Sequence, residues 1–144
     1  MRVILVFFSL LILGACADKR FVHNNQGTTI NSHLGGQLRE VPVKMMSLKG
    51  PIRVKDTCQS ACTSILVRND VCTYPDAIWK FHGAQGWLVH ISQEKRPLTY
   101  DLLVANWYTN KPGMREWFLS GDLNNWKTLT GKEMNDRGWI PLCE

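Results

Sequence analysis

Apolar positions along this chain follow two different periods, and segments of the two kinds alternate. A spacing of three to four residues, which puts apolar side chains on one face of a helix, occurs at 41–48, 98–105 and around 114–118. Short apolar runs typical of strands occur at 52–54, 71–74 and 77–82, and "TTINSHLGG" at 28–36 is predicted to be a strand that ends in a glycine turn. The alternation predicts an α/β fold in a single domain.

Two further helices are predicted from their first residues. "SACTSILV" at 60–67 follows the predicted turn "KDTCQ" and opens at Ser60, a residue type that commonly caps a helix. "TGKE" at 130–133 has the spacing of a capping box, and Gly138 is expected to end the helix that it opens. "WIPL" at 139–142 is predicted to be the last strand.

The predicted strand at 77–82 carries side chains of different character on its two faces. Trp79 and Phe81 share the apolar face, whereas His82 points to the other. The chain has six tryptophans, which could indicate a sugar-binding surface. Because Trp79, Trp107 and Trp117 lie at core-facing positions, packing is the preferred interpretation.

The first residues have the layout of an export signal. "MRVILVFFSLLILGAC" has one arginine, an apolar run too short to span a bilayer comfortably, and small residues before Cys16. Its end resembles the bacterial lipobox, in which the cysteine is acylated and becomes the new first residue. We therefore expect a signal peptide at 1–15, a lipidated tether at 16–29 and a folded domain at 30–144. An uncleaved signal anchor is the alternative.

The expected lipid anchor also gives the domain a location. Ala17, rather than an aspartate, follows Cys16, and by resemblance to Gram-negative lipoproteins this favours the outer membrane. The interpretation is a domain in the periplasm of a bacterial cell envelope, held at the membrane by its lipid.

The basic residues do not form a pattern that would indicate nucleic-acid binding. The formal net charge is +5, but the lysines and arginines are dispersed along the chain without forming a block, and no basic stripe with interleaved aromatics occurs. A solvated, mildly basic surface is the preferred interpretation, and weak attraction to anionic lipid or cell-wall polymer stays open. No nucleic-acid partner is predicted.

Four of the five cysteines remain once Cys16 is assigned to the lipid. In an exported chain an even number predicts two disulfides, formed among Cys58, Cys62, Cys72 and Cys143. Of the possible pairings we expect Cys62–Cys72 and Cys58–Cys143, because the first would close the predicted helix onto the strand that follows it. A zinc site is the alternative, but the cysteine spacing departs from the usual zinc patterns, so no metal or other cofactor is predicted.

The stretch "CQSACTSIL" at 58–66 places Ser60 at the start of a predicted helix. Most serines in that position only cap the helix. The same place suits a nucleophile, because free backbone N–H groups and the positive end of the helix dipole stabilise an oxyanion, although the stretch is not a G-x-S-x-G motif. His82 is the candidate base. His33 and His90 are rivals that are better interpreted as surface or packed residues.

Four segments of the chain resemble motifs of one known superfamily. They are "INSHLGG", "GPIRVKDTCQSACTSIL", "VCTYPDAIWKFHGA" and "LTGKEMNDRGWI". Their order is similar to that in the Clp protease/crotonase superfamily, above all to small exported bacterial members with a C-x-S-A-C-T signature and a following F-H-A/G-A segment. The resemblance spans about 30–142. It implies a small, truncated Clp/crotonase-like fold in which short strands alternate with helices.

The resemblance also implies roles for individual residues. Ser60 matches the nucleophile and His82 the general base of the Clp-type serine peptidases. The backbone N–H groups of Gly36 and Ala61 match the oxyanion donors, and Gly35 shapes the turn.

Two positions depart from the pattern of that superfamily. The glycine turn reads "SHLGG" where the family usually has S-P-G-G, so the loop is longer by one residue. The position of the triad acid falls near Asn125 or Trp126, which cannot ionise there, and Asp122 is the nearest carboxylate. We expect Asn125 or Asp122 to orient His82, since a base needs mainly its tautomer fixed.

Two functions from different classes follow. The first is a lipid-anchored envelope serine hydrolase of the Clp-like peptidase kind, using a Ser60–His82 dyad on a peptide or small acyl substrate. The second is a non-catalytic envelope lipoprotein that keeps the fold for binding or assembly. The serine, histidine and glycine pair favour the first, and the missing acid favours the second. Clp and crotonase relatives form rings, which leaves a homo-oligomer open.

Overall fold

The computed structural model describes residues 20–84 and 98–144. The expected signal peptide, the predicted lipidation site Cys16 and the rival His90 lie outside the described residues. Within those two stretches, no helix combines the length and the apolar character needed to cross a membrane.

A six-stranded mixed sheet forms the centre of the domain, in the order β1-β2-β3-β5-β6, with β4 beside β3. The strands are β1 Phe21–Asn24, β2 Gly27–His33, β3 Ile52–Gln59, β4 Val71–Thr73, β5 Ile78–Phe81 and β6 Lys127–Thr130. β3 is parallel to β2, β4 and β5, while β1 and β6 are antiparallel to their neighbours. Together with its helices, this sheet makes the protein a mixed α/β domain.

The helices begin and end close to where the sequence predicts them. The α-helices are α1 Val41–Ser47, α2 Leu98–Ala105, α3 Met114–Leu119 and α4 Gly131–Asp136, and 3-10 helices span Ser60–Val67 and Asn106–Tyr108. Pro42 lies in the first turn of α1, where no intrahelical hydrogen bond is lost. Thr130 and Glu133 form the predicted capping box at the start of α4.

Three parallel strands end at the same edge of the sheet. β2 runs into the glycine turn, β3 into Ser60, and β5 into His82. Gln59 of β3 lies opposite Lys80 of β5, so the residues that follow them emerge close together. Side chains that leave parallel strands at their carboxyl ends are typical of ligand sites in such sheets.

Aromatic side chains fill much of the core. Trp79 and Phe81 of β5 are fully buried, as is Tyr108. The rings of Phe81 and Tyr108 meet edge to face with centroids 5.7 Å apart, a favoured aromatic geometry. Trp107 and Trp117 are partly buried against this core. For these three tryptophans, the packing interpretation is therefore confirmed.

Three elements differ from the sequence-based prediction. β3 continues through "KDTCQ", predicted to be a turn, because Thr57 and Cys58 pair with β2 on one side and β5 on the other. β6 is not predicted, since only Leu129 of its residues is both apolar and buried. "WIPL" contributes an isolated bridge between Leu142 and Thr73 instead of a strand.

The folded domain also begins earlier than predicted. β1 and β2 form a hairpin in which buried Phe21 lies opposite buried Ile30. The tether expected over 16–29 is therefore wrong from Phe21 onward. The remaining residues of β1 are exposed, as is usual for an edge strand, so no alternating apolar pattern marks this strand in the sequence.

The four cysteines form two disulfides, as predicted, but the predicted pairing is wrong. Cys58 bonds to Cys62 and Cys72 to Cys143, instead of Cys62–Cys72 and Cys58–Cys143. The 3-10 helix turns the chain back directly after β3, which brings the Cα of Cys62 to 5.4 Å from that of Cys58. The C-terminal segment runs beside β4, where Cys143 N–H donates to Thr73 O, and this places Cys143 next to Cys72.

Candidate active site

Ser60 lies at the junction where β3 ends and a 3-10 helix begins. Within the described part of the chain it is the one non-glycine residue with a positive φ, at 56°. Such a conformation costs about 1–3 kcal/mol and occurs preferentially at functional sites, where the surrounding structure imposes it. The helix N-cap is Gln59, which makes no side-chain capping bond. Ser60 is therefore the first residue of the helix and not its cap.

The side-chain oxygen of Ser60 is hydrogen-bonded to His82. Ser60 Oγ and His82 Nε2 are 2.7 Å apart, a distance suited to proton transfer from a nucleophile to its base. His82 follows β5 and is half-buried. When the hydroxyl donates to Nε2, a neutral imidazole carries its proton on Nδ1, which is the tautomer that a general base needs.

Two hydrogen bonds hold the backbone directly after His82. Gly83 N–H donates to Leu123 O at 2.9 Å, and Ala84 N–H donates to the carboxylate of Asp101 at 3.0 Å. Asp101 projects from α2 and is buried. Asp101 is not among the site residues predicted from the sequence, and a lone carboxylate within an apolar helical segment is the signal that could have found it.

The glycine turn packs directly against the nucleophile. A Cβ on Gly35 would lie 2.7 Å from Ser60 Cβ and 2.8 Å from Gln59 O, closer than such atoms approach without displacement. Gly35 also has φ of 85°, a conformation open to glycine at little cost. A side chain at this position would push the turn away from Ser60.

The rival histidine His33 is a packed residue at the end of β2. It is buried, its ring lies 5.5 Å from that of Phe21, and its Nδ1 accepts a hydrogen bond from Gly35 N–H at 3.1 Å. The packed interpretation of His33 is therefore confirmed.

The two residues expected to supply the oxyanion donors lie at the same pocket as the nucleophile. Gly36 and Ala61 line one pocket together with Ser60 and His82. Ala61 lies in the first turn of the 3-10 helix, where backbone N–H groups have no acceptor inside the helix. The N–H of Gly35 is directed at a histidine of β2, so Gly36 is the glycine of the pair whose N–H is suited to donate into the pocket.

The two candidates for the third site residue are bonded to each other. Asn125 Nδ2 donates to Asp122 Oδ2 at 2.8 Å, and both residues are exposed. That one of them orients His82 stays a prediction. The ring that packs on His82 is that of Trp126, with centroids 4.1 Å apart and planes at 72°.

The segment that carries Trp126 is anchored by the next residue. Lys127 Nζ donates to Trp117 O at 2.7 Å, to Phe118 O at 3.0 Å and also to Ser120 O, all at the carboxyl end of α3. A lysine suits this place because the last carbonyls of a helix lack partners. Burial lowers the pKa of Lys127.

A second anchor lies behind the nucleophile. Thr63 Oγ1 donates to Ser60 O at 2.6 Å and lies 2.7 Å from the hydroxyl of Tyr108. Burial raises the pKa of Tyr108 well above its usual range, so this phenol stays neutral. The contact ties the start of the 3-10 helix to the packed aromatic core.

The pocket beside Ser60 has a volume of about 270 Å³. Seven of its twelve lining residues have apolar side chains: Leu34, Leu38, Ala61, Ala84, Val104, Trp107 and Trp126. Among the described residues of its wall, none is an aspartate, glutamate, lysine or arginine. The volume lies just under the ~300 Å³ at which ligand pockets usually begin, which suits a small group or a single side chain of a larger substrate.

Residues 20–84 and 98–144 contain no group of three His, Cys, Asp or Glu side chains arranged to hold a metal ion. Cys58, Cys62, Cys72 and Cys143 are all in disulfides, so their thiolates are not available for the zinc site considered from the sequence.

No protein-family model matches this chain, and neither does any curated protein. The geometry around Ser60 and His82 is therefore what indicates its chemistry. A serine oxygen bonded to an imidazole, backbone donors beside it and a neutral pocket in front of it form an arrangement suited to attack on a carbonyl group.

Proposed function

We propose that this protein is a serine hydrolase in which Ser60 is the nucleophile and His82 the general base. The observation that carries the proposal is the 2.7 Å hydrogen bond between Ser60 Oγ and His82 Nε2, made by a serine held at positive φ on a strand-to-helix junction. A turn of this kind exposes the hydroxyl and aims it into the pocket, as in other hydrolases with a strained nucleophile turn.

In the proposed reaction, the substrate carbonyl carbon lies beside Ser60 Oγ. The hydroxyl proton moves to His82 Nε2 as Oγ attacks, and the carbonyl oxygen becomes an oxyanion. The N–H groups of Gly36 and Ala61 donate to that oxygen. Such donors contribute on the order of 10²–10³ in rate each, because they are preorganised where charge develops.

The intermediate then collapses. The bond to the leaving group breaks, the protonated His82 gives its proton to the departing amine or alkoxide, and the acyl group stays on Ser60. Water enters next, loses a proton to His82 Nε2 and attacks the acyl carbon. The carboxylic acid leaves, and Ser60 recovers its proton from the imidazolium.

The pocket favours an uncharged group as the part of the substrate next to the reacting carbonyl. Its wall contains Leu34, Leu38 and Val104 together with two indole rings. A charged group placed there would lose hydration without finding an opposite charge in the described wall. We infer a peptide or a small acyl ester as the substrate class.

The relationship to the Clp protease/crotonase superfamily is part of this proposal. Three of the resembling segments supply the glycine turn after β2, the nucleophile after β3 and the base after β5. Their meeting at one edge of the sheet supports the relationship. Attachment to the outer membrane through Cys16, with the domain in the periplasm, is proposed from the sequence, and two disulfides suit that oxidising compartment.

The second candidate, a non-catalytic envelope lipoprotein of the same fold, is favoured by one observation. The two residues expected to orient His82, Asp122 and Asn125, are exposed and bonded to each other. In a full triad, loss of the carboxylate costs about 10⁴ in kcat.

Hydrolysis of p-nitrophenyl acetate, p-nitrophenyl butyrate and a carboxylated analogue such as the hemisuccinate ester separates the two candidates. The hydrolase is expected to turn over the two apolar esters faster than the charged one, and Ser60→Ala is expected to reduce hydrolysis to the rate without enzyme. Equal rates for the wild-type protein and Ser60→Ala would favour the non-catalytic candidate. Ser47→Ala, on the exposed end of α1, is the matched control.

A further inference from the structure

The glycine turn is anchored by a side chain of the strand before it, that of His33. His33 closes β2, lies opposite Cys58 in the parallel register and is almost completely buried, with 2% of its surface exposed. Its ring rests near that of Phe21. The sheet and the packing therefore fix the position of this imidazole independently of its contact with the glycine turn.

The contact that the ring makes is directional. Gly35 N–H donates to His33 Nδ1 at 3.1 Å, so Nδ1 is the unprotonated nitrogen of the ring. The bond links residues two apart, as Asx turns do with an Asn or Asp side chain. It holds the backbone of the turn relative to the end of β2.

The glycine turn packs so closely on Ser60 that it has little room to move. The Cβ position of Gly35 is 2.7 Å from Ser60 Cβ and 3.2 Å from Ser60 Oγ. Gly36 follows directly and lines the pocket. A shift of Gly35 therefore changes the distance between the N–H of Gly36 and the point at which an oxyanion forms beside Ser60.

We propose that His33 is a positioning residue of the oxyanion hole: by accepting the N–H of Gly35 it sets the glycine turn against Ser60 and aims the N–H of Gly36 at the reacting carbonyl. This inference rests on the proposed hydrolase function for its kinetic consequence. Its structural content, the hydrogen bond that holds the turn, does not depend on catalysis.

Two substitutions separate the hydrogen bond from the packing. His33→Phe keeps an aromatic ring beside Phe21 and removes the acceptor. His33→Asn removes most of the ring and keeps an oxygen that reaches an N–H two residues on. His23→Phe is the matched control, because His23 lies on the neighbouring edge strand, exposed, and bonds to Thr28 away from the turn.

We expect His33→Phe to lower kcat about 100-fold with little change in KM, the cost of a misplaced catalytic contact of about 1 Å. His33→Asn should recover kcat to within about tenfold of the wild-type value, since the donor is again held. His23→Phe should behave as the wild-type protein does. A His33→Phe protein that keeps its kcat, or a folded His33→Asn protein as impaired as His33→Phe, would overturn the proposal.

Amide hydrogen exchange at Gly35, read by NMR, tests the same bond without any substrate. The Gly35 amide should be protected in the wild-type and His33→Asn proteins and should exchange rapidly in His33→Phe. If the wild-type protein hydrolyses no ester, the hydrolase proposal fails, and this exchange pattern still decides whether His33 holds the turn. Equal protection in all three proteins would overturn that role, and circular dichroism identifies any variant that does not fold.

Discussion

Ser60 Oγ and His82 Nε2 lie 2.7 Å apart although 22 positions separate the two residues in the sequence. The distance follows from the parallel pairing of β3 with β5, in which Gln59 lies opposite Lys80. Ser60 follows the end of β3 and His82 follows the end of β5, so both side chains lie at the same edge of the sheet. The hydrogen bonds of Gly83 and Ala84 hold the backbone after His82 in place.

The contact between Gly35 and the nucleophile predicts a strong effect of a single methyl group. In Gly35→Ala the new Cβ would meet Ser60 Cβ at 2.7 Å and Gln59 O at 2.8 Å, so the turn must move. We expect kcat/KM to fall by about 100-fold or more, because the oxyanion donor moves with the turn. Ester hydrolysis and thermal unfolding measure the two consequences.

Gly121→Ala is the control for that substitution. Gly121 has a similar φ of 76°, but a Cβ there has nothing within 4 Å. The Gly121→Ala variant should lose only about 1–2 kcal/mol in the free energy of unfolding, the cost of a side chain in this left-handed backbone conformation, and should keep its kcat/KM. If both variants lose the same stability and both keep activity, the close packing of the turn on Ser60 is wrong.

The positive φ of Ser60 predicts an order of stability between two inactive variants. Ser60→Gly and Ser60→Ala both remove the hydroxyl, but only glycine adopts φ of 56° without strain. The relief of about 1–2 kcal/mol exceeds the ~0.5–1 kcal/mol that the flexibility of glycine costs in the unfolded chain. We expect a higher Tm for Ser60→Gly, and a clearly lower one would contradict the observed backbone conformation.

The two disulfides should contribute differently to stability and to activity. Cys72–Cys143 spans a sequence separation of 71 and Cys58–Cys62 only 4. Because a cross-link lowers the entropy of the unfolded chain more when its loop is longer, the first should stabilise the fold by roughly 4 kcal/mol and the second by roughly 2 kcal/mol. Cys58 and Cys62 flank Ser60. Replacing that pair by alanines should therefore lower kcat more, while replacing the other pair should lower the free energy of unfolding more.

Urea unfolding and ester hydrolysis of the two double-alanine variants check this comparison. Peptide mapping without reductant verifies the pairing in the wild-type protein. A variant lacking Cys58 and Cys62 that keeps its full kcat would show that this bridge does not shape the nucleophile turn.

Trp126 packs on His82 and lines the pocket, so its removal should affect the base. An aromatic contact of this kind contributes about 0.5–1.5 kcal/mol, which corresponds to a two- to tenfold change in rate. We expect Trp126→Ala to lose about that much in kcat/KM and Trp126→Phe to lose less. Leu142→Ala, at an exposed apolar residue next to the C-terminal disulfide, should not change it. Identical rates for Trp126→Ala and the wild-type protein would show that the contact does not orient the imidazole.

The parts of this fold that local chemistry determines could be predicted from the sequence. The capping box of Thr130 and Glu133, the helix over 41–47 and the two faces of β5 all depend on neighbouring residues. The predicted serine and histidine come together because strand order places them at one edge, and only the resemblance to a known family indicated that order.

The features that were missed depend on contacts between distant segments. β1 is an edge strand of the described sheet and pairs with β2, and the C-terminal segment is fixed by its bonds to Thr73. The pairing of the cysteines follows from that segment and from the immediate reversal after β3. Neither is encoded in the spacing of residues along the chain, so the sequence alone could not decide the disulfide pairing.

Covalent labelling by a fluorophosphonate probe tests the central claim most directly. The wild-type protein should gain one probe adduct, located on Ser60 by peptide mass spectrometry, because His82 activates that hydroxyl alone. Ser60→Ala and His82→Ala, checked for folding by circular dichroism, should stay unlabelled, and Ser47→Ala should label as the wild-type protein does. A folded wild-type protein that gains no adduct, or an adduct that persists in Ser60→Ala, would contradict the assignment of Ser60 as the nucleophile.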